Sequence, residues 1–141
     1  MVNLFFEDTE ILDLDPEFFV SWLNQIVSRE TLVLGDVNLV FCSEGYLLEM
    51  NKEHLNHDYD TDIITFDFRS EDIVSGDLFI SVDMLRYNAR VNNCEFINEL
   101  RRVVAHGVLH ICGYNDKTES EQIEMTLKEN ESLALIVSRE T

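Results

Sequence analysis

Alternating apolar and polar residues predict four short β-strands along the chain. They cover residues 2–6, 37–41, 61–68 and 77–82, which are rich in β-branched and aromatic residues or alternate in polarity. Gly35 and Asp36 predict a break or a bulge just before the second strand. The polar stretch 69–76 is predicted to be a loop between the third strand and the fourth.

Apolar residues at helical spacing predict five helices between and after these strands. Asp15 and Pro16 are typical of an N-cap and a first helical position, and Ser43 is a suitable N-cap for a second helix. A short third helix is expected over residues 83–92. The buried faces of the first two helices are predicted to carry Phe18, Phe19, Trp22, Ile26 and Val27, and Tyr46, Leu47 and Met50, respectively.

The fourth predicted helix begins near Asn92 or Asn93, either of which is a favourable N-cap, with Glu95 near the positive end of the helix. Gly113 is expected to end it. The core-facing stripe of this helix consists of Phe96, Ile97, Leu100, Val104, Val108 and Ile111.

Thr118 and Glu121 have the spacing of a capping box and predict a fifth helix. The apolar residues of that helix are Ile123, Leu127, Leu133 and Ile136. The resulting order, β-α-β-α-β-β-α-α-α, indicates an α+β domain in which helices pack on a sheet.

Composition narrows the classes of function. A chain of 141 residues with 45% hydrophobic residues is long enough for one domain with its own core. Its net charge of −18 argues against a generally basic RNA-binding surface. Five of the ten Lys and Arg residues fall in one stretch, where they form either a local basic patch or solvated helix surfaces: Arg69, Arg86, Arg90, Arg101 and Arg102.

The expected location is the cytoplasm. No apolar run approaches the length of a membrane span, and the first residues are acidic rather than typical of a secretory signal. Cys42, Cys94 and Cys112 are odd in number and lack CxxC spacing, which favours reduced thiols over disulfides or a thiolate zinc site.

The strongest chemical signal lies at the end of the fourth helix. His106 and His110 are four residues apart, so their side chains converge on one helix face. Gly113 lets the chain turn, and Asp116 then follows. Two imidazoles and one carboxylate are a common catalytic zinc set that leaves one position open for water.

Each part of this pattern also has a simpler interpretation. Two helical histidines are often only packed or solvated, and Asp116 alone is an ordinary turn residue. Gly107 follows the first histidine where His-Glu-x-x-His metalloproteases carry their general base, so a peptidase of that type is disfavoured.

Residues 106–116, HGVLHICGYND, resemble the pattern His-Gly-x-Leu-His-x-x-Gly-Tyr-x-His of the YbeY family. The family consists of single-domain bacterial metal-dependent endoribonucleases of ribosomal RNA maturation and ribosome quality control. Residues 55–56, 61–66 and 76–81 are also similar to family segments, as are Met125 and Glu129 in the last helix. The resemblance implies an α+β fold with a mixed four-stranded sheet, about five helices and a single domain over residues 1–141.

Two departures from the family pattern bear on chemistry. Asp116 stands where the family usually has histidine; it is still a good zinc ligand, but its charge would weaken the Lewis acidity and broaden metal choice toward manganese or nickel. The family's Tyr-Arg pair, thought to contact RNA, is Tyr59-Asp60 here. The resemblance therefore leaves Arg69, Arg86 or Arg90 as possible replacement cations.

His54 and His57 precede the third strand and either line the cleft or are exposed loop residues. The first functional hypothesis is a zinc-dependent endoribonuclease with one ion per chain on His106, His110 and Asp116, acting on single-stranded ribosomal RNA. The alternative is a non-catalytic ribosome-assembly factor with a structural metal, whose acidic surface docks on basic ribosomal proteins. Hydrolysis of an amide or a small phosphoester is a third possibility.

Overall fold

The computed structural model describes the backbone of residues 1–55 and 61–140, and the side chains of residues 1–53 and 61–136. In this part of the chain, four strands and five helices follow in the predicted order. They are β1 (Val2–Glu7), α1 (Pro16–Arg29), β2 (Val33–Cys42), α2 (Glu44–Leu55), β3 (Ile63–Asp67), β4 (Ile73–Ser81), α3 (Val82–Val91), α4 (Phe96–Cys112) and α5 (Glu119–Glu140).

The strands form one mixed sheet in the order β1-β2-β4-β3. β1 and β2 are parallel, β2 and β4 are parallel, and β3 runs antiparallel to β4. The register between β2 and β4 shifts between Leu34 and Val37, which places a bulge at Gly35 and Asp36 as predicted. The prediction of a mixed four-stranded sheet with about five helices is confirmed.

Helices cover the two faces of the sheet unequally. The main core lies between one face and helices α1, α3, α4 and α5, with Trp22, Leu78 and Leu100 fully buried in it. The indole Nε1 of Trp22 donates a hydrogen bond of 2.8 Å to the carbonyl oxygen of Ser132, which ties α1 to α5. A smaller cluster on the opposite face joins α2 to the sheet through Cys42, Leu47 and Ile64.

Gly107 allows α4 to approach the sheet closely. A Cβ atom at this position would lie 2.4 Å from Leu78 Cδ2 and 2.8 Å from Ile63 Cδ1. Because these are sub-contact distances, a side chain at residue 107 would push the helix away from β3 and β4. The glycine after the first histidine therefore places His106 directly beside the start of β3.

Two local predictions were wrong. Residues 73–76 belong to β4 rather than to a loop, because Ile73 and Val74 pair with Val33 and Leu34 of β2. Such pairing satisfies the backbone whatever the polarity of the side chains.

Neither predicted asparagine begins α4. Asn92 is the C-cap of α3, and Asn93 takes a positive φ of 53° in the turn. Glu95 is the N-cap of α4, without a side-chain hydrogen bond.

The capping box of the last helix is present. The Thr118 hydroxyl accepts from the Glu121 backbone N–H at 3.1 Å, and a Glu121 carboxylate oxygen accepts from the Thr118 backbone N–H at 2.9 Å. Ile136 is buried, whereas Ile123 and Leu127 are exposed.

Within residues 1–55 and 61–140, no helix combines the length and the apolar character that crossing a membrane demands.

Candidate metal centre

Three predicted ligands meet at the C-terminal end of α4. The Nε2 atoms of His106 and His110 are 3.0 Å apart. Gly113 takes a left-handed conformation with φ of 115° and reverses the chain after the helix. The carboxylate of Asp116 returns to the histidines, with Oδ2 3.2 Å from His106 Nε2 and 3.4 Å from His110 Nε2.

Hydrogen bonds on the far side of each ring define which nitrogen faces this cluster. His110 Nδ1 is 2.8 Å from the carbonyl oxygen of Tyr114, and a carbonyl only accepts, so Nδ1 carries the proton. His106 Nδ1 is 2.7 Å from Oε2 of Glu129 and donates to that carboxylate. When the two rings are neutral, both Nε2 atoms therefore direct a lone pair at each other and at Asp116.

This donor set suits a divalent metal ion. Three electron-rich atoms separated by 3.0–3.4 Å repel one another unless a proton or a metal ion lies between them. Ligands bonded at about 2.0–2.1 Å to a tetrahedral zinc ion lie about 3.3 Å apart, which matches these separations. Among the residues described, His106, His110 and Asp116 form one group that could hold a metal ion.

The electrostatics of His106 favour positive charge at the same place. Burial by itself lowers the pKa of this imidazole, but the hydrogen bond to Glu129 and the negative charges of Glu129, Asp116 and Asp62 outweigh it, so the pKa is raised. The surroundings that favour a proton on the ring also favour a bound cation.

Glu129 is the buried partner of the first histidine. It lies on α5, is 7% exposed, and receives a hydrogen bond of 2.9 Å from Arg102 Nη1 at its second carboxylate oxygen. Arg102 also donates to the side chain of Asn130 at 2.8 Å. The family resemblance included position 129 but gave it no role. The four-residue spacing that places Arg102 and His106 on one helix face was the only sequence feature that indicated this network.

A cleft of about 520 Å³ opens over the three ligands. One wall is formed by β3 and the residues before it, including Asp62, and the other by the end of α4 and residues 115–116. Burial raises the pKa of Asp62, and the Asn88 amide lies at the limit of hydrogen-bond distance, 3.5 Å from its carboxylate. Sequence reasoning missed Asp62 because it appeared only as part of a strand motif.

The arginines proposed as replacement cations lie elsewhere. Arg69 Nη1 donates to the carbonyl oxygens of Ile111 and Cys112 at 3.3 and 3.0 Å, so it caps the end of α4. Arg86 pairs with Glu10 and, with Arg90, lines a separate cavity beside α3. Among the described residues that line the metal cleft there is no lysine or arginine.

The other two arginines of the basic stretch also have local partners. The Arg101 guanidinium lies 4.7 Å from the centre of the Phe18 ring, and Arg102 donates a hydrogen bond to Glu129. These residues therefore stabilise helix packing, and they do not form one basic patch.

Some predicted groups fall outside the described side chains. They are His54 and His57, proposed to line the cleft, and the pair Tyr59-Asp60.

All three cysteines are free thiols. Burial, reinforced by neighbouring carboxylates, raises the pKa of Cys42 to about 12 and that of Cys112 to about 11. Cys42 and Cys112 are therefore protonated at neutral pH.

Comparisons with known proteins agree with the geometry. The family model described as "Endoribonuclease YbeY" matches residues 6–136. Proteins named Endoribonuclease YbeY from Flavobacterium johnsoniae and Cytophaga hutchinsonii are 42% and 44% identical over 135 residues each; these alignments cover 96% and 95% of this chain and 96% and 94% of the relatives. A Thermotoga maritima protein solved in solution superposes with a TM-score of 0.66 at 28% identity, covering 96% of this chain and 93% of that one. The chain belongs to the endoribonuclease YbeY family.

Proposed function

We propose that this protein is a metal-dependent endoribonuclease that hydrolyses phosphodiester bonds in single-stranded ribosomal RNA. Residues 1–141 act as one metallohydrolase domain in which His106, His110 and Asp116 bind one divalent ion, with zinc as the expected metal. The observation that carries the proposal is the convergence of three acceptor atoms at 3.0–3.4 Å beneath an open cleft.

When bound, the ion supplies Lewis acidity toward a phosphoryl oxygen and makes water more acidic. The residues of the chain prepare this chemistry. Glu129 and the carbonyl group of Tyr114 hold the Nδ1 protons, which leaves both Nε2 atoms free to bind metal. Asp116 adds the anionic ligand, and its charge extends the usable metals toward manganese and nickel.

Asp62 is the best-placed group for proton transfer. It lines the same cleft without belonging to the ligand set, and its backbone carbonyl accepts from the Ser81 N–H at 2.9 Å, which fixes the start of β3. We assign its carboxylate to accept a proton from the attacking water. Replacement by asparagine should lower kcat and leave metal affinity near the wild-type value.

The size and charge of the cleft bear on the substrate. A volume of about 520 Å³ is on the scale of one or two unpaired nucleotides, which supports a single-stranded substrate. The described lining carries Asp62, Asp67 and Asp116 and lacks lysine and arginine, so the positive charge opposite the scissile phosphate would have to come from an ion held by His106, His110 and Asp116.

The same acidity favours a second candidate function. With a net charge of −18, the protein would suit docking on basic ribosomal proteins, with the metal stabilising the turn after Gly113. Both functions place the protein in the cytoplasm beside the ribosome. Metal removal separates them, because a structural ion supports folding whereas a catalytic ion mainly supports activity.

The test is cleavage of a labelled single-stranded RNA by metal-stripped protein resupplied with zinc, manganese or nickel. Wild type and the exposed control Glu124→Gln should cleave after metal is added, whereas His106→Ala and Asp116→Ala should not. Equal cleavage by all four proteins would identify a contaminating nuclease and contradict the proposal. If the wild type binds metal but cleaves no RNA, the docking function is favoured.

A further inference from the structure

Tyr114 connects three segments of the fold immediately after α4. Its hydroxyl donates a hydrogen bond of 2.6 Å to Oε1 of Glu30, the C-cap residue of α1. Lys128 of α5 donates to the other oxygen of Glu30 at 3.3 Å, and its ammonium lies 5.4 Å from the centre of the Tyr114 ring. We call Glu30, Tyr114 and Lys128 the tyrosine clamp.

The backbone of the clamped residue serves the metal centre. The carbonyl oxygen of Tyr114 accepts from His110 Nδ1 at 2.8 Å, and its N–H donates to the carbonyl oxygen of Leu109 at 3.0 Å. Two residues later the chain delivers Asp116. The position of one aromatic ring therefore determines the orientation of His110 and the path of the chain to Asp116.

Asp116 depends on this anchor more than either histidine does. The histidines project from a regular helix packed on the core, whereas Asp116 lies in the connection between α4 and α5 and its carboxylate is 38% exposed. Its described ion pairs are with His106 and His110. Its placement must come from the fixed turn before it, because ligands need to be held within a fraction of an ångström.

The ion pair of the tyrosine clamp is partly buried. The side chains of Glu30 and Lys128 are only 16% and 29% exposed, so their pairing is less screened than a surface ion pair. Burial and the bond to Glu30 raise the pKa of the Tyr114 phenol, so the hydroxyl remains a donor at neutral pH. The bonds to Tyr114 and Glu30 outweigh desolvation and raise the pKa of Lys128, which stays charged.

We propose that Tyr114, held by Glu30 and Lys128, is a positioning residue that sets His110 and Asp116 in the geometry that binds the metal ion. The inference rests on the proposed metal site and extends it to α1 and α5, which carry none of the ligands. The clamp makes metal binding sensitive to the docking of these two helices.

The test uses Tyr114→Phe, which removes the hydroxyl and keeps the ring, and Tyr87→Phe, the same change on the exposed face of α3. Cobalt(II) is the probe, with affinity measured by chelator competition and geometry followed by the visible absorption of the bound ion. Tyr114→Phe should weaken binding roughly tenfold and alter the spectrum, because the loss of one hydrogen bond to a charged group releases the turn that carries the His110 acceptor and Asp116. Tyr87→Phe should change neither.

A second pair of variants distinguishes positioning from general stability. Glu30→Gln keeps an acceptor for the Tyr114 hydroxyl and should retain most of the affinity that Glu30→Ala loses. The melting temperature of the metal-free proteins is measured in parallel. The inference is overturned if Tyr114→Phe binds cobalt like wild type with an unchanged spectrum, or if it only lowers the metal-free melting temperature.

Failure of the proposed metal site, on which the proposed function depends, gives a different result. Wild-type protein would then bind neither cobalt nor zinc, which would overturn the metal site together with the inference. Wild-type binding with an unaffected Tyr114→Phe variant would overturn the inference alone.

Discussion

Replacing Glu129 by glutamine tests how a buried carboxylate prepares His106 for its proposed role as a metal ligand. In the native protein one carboxylate oxygen accepts from His106 Nδ1 at 2.7 Å and the other accepts from Arg102 Nη1 at 2.9 Å. A glutamine amide has one acceptor oxygen and one donor NH₂ group, so it cannot accept from both neighbours.

Either orientation of the amide damages the site. If its oxygen faces Arg102, the NH₂ group faces His106 Nδ1 and favours the tautomer whose proton lies on Nε2, inside the ligand cluster. If the oxygen faces His106, two donors oppose each other at Arg102, in a place where residue 129 is only 7% exposed. An unsatisfied group there destabilises the metal-free fold by about 1–3 kcal/mol.

Glu129→Gln should weaken metal binding more than most surface substitutions do. Loss of an outer partner of a metal-binding histidine weakens affinity roughly 10–100-fold. At 1.4 kcal/mol for each tenfold change, this is about 1.4–2.8 kcal/mol of binding free energy. Zinc affinity is measured by chelator competition, and metal-free stability by urea unfolding.

Glu124→Gln is the matched control, because it makes the same chemical change on the exposed side of α5. Its zinc affinity and urea midpoint should equal those of wild type. The reasoning about the tautomer of His106 is refuted if Glu129→Gln binds zinc as tightly as Glu124→Gln.

Two further predictions concern the scaffold. Gly76→Ala should lower stability by about 1–3 kcal/mol in urea unfolding, because the new Cβ would lie 2.4 Å from the carbonyl oxygen of Phe66 and strand β3 would have to shift; Gly45→Ala, with nothing within 4 Å, should not destabilise, and equal losses would contradict this account. Glu99 is buried, and burial is the main cause of its raised pKa. The folded state therefore holds the Glu99 proton more tightly, and its contribution to stability falls as pH rises from the ordinary value of 4.5 through the raised pKa. Glu99→Gln should make the urea midpoint depend less on pH across this range and should raise the midpoint at pH 7. An unchanged slope of midpoint against pH would contradict the assignment.

The element order and the convergence of the three candidate ligands could be anticipated because both depend on local patterns. The stripe of α4 and the four-residue spacing of His106 and His110 fix which side chains share a helix face. Gly113 and the short path to Asp116 limit where the third ligand can lie. The sequence could therefore nominate three residues that the structure brings within 3.4 Å of one another.

Features that depend on tertiary pairing could not be predicted from the sequence. Ile73 and Val74 join β4 because β2 lies beside them, which no local polarity pattern reports. Glu30 and Tyr114 are far apart in the chain, and their contact arises only when α1 packs beside the end of α4. The partners of the arginines could not be predicted from the sequence either, since Arg69 donates to carbonyl groups of α4 and does not line the cleft.

The proposed function requires His106, His110 and Asp116 to hold one metal ion together. We would measure this by elemental mass spectrometry of untagged wild type and Asp116→Ala. About one zinc ion per chain is expected in the wild type, with three N/O protein ligands as in other catalytic zinc sites, and a lost or loosened ion in the variant. A wild type without stoichiometric metal, even after zinc is supplied, would show that these residues form no metal site.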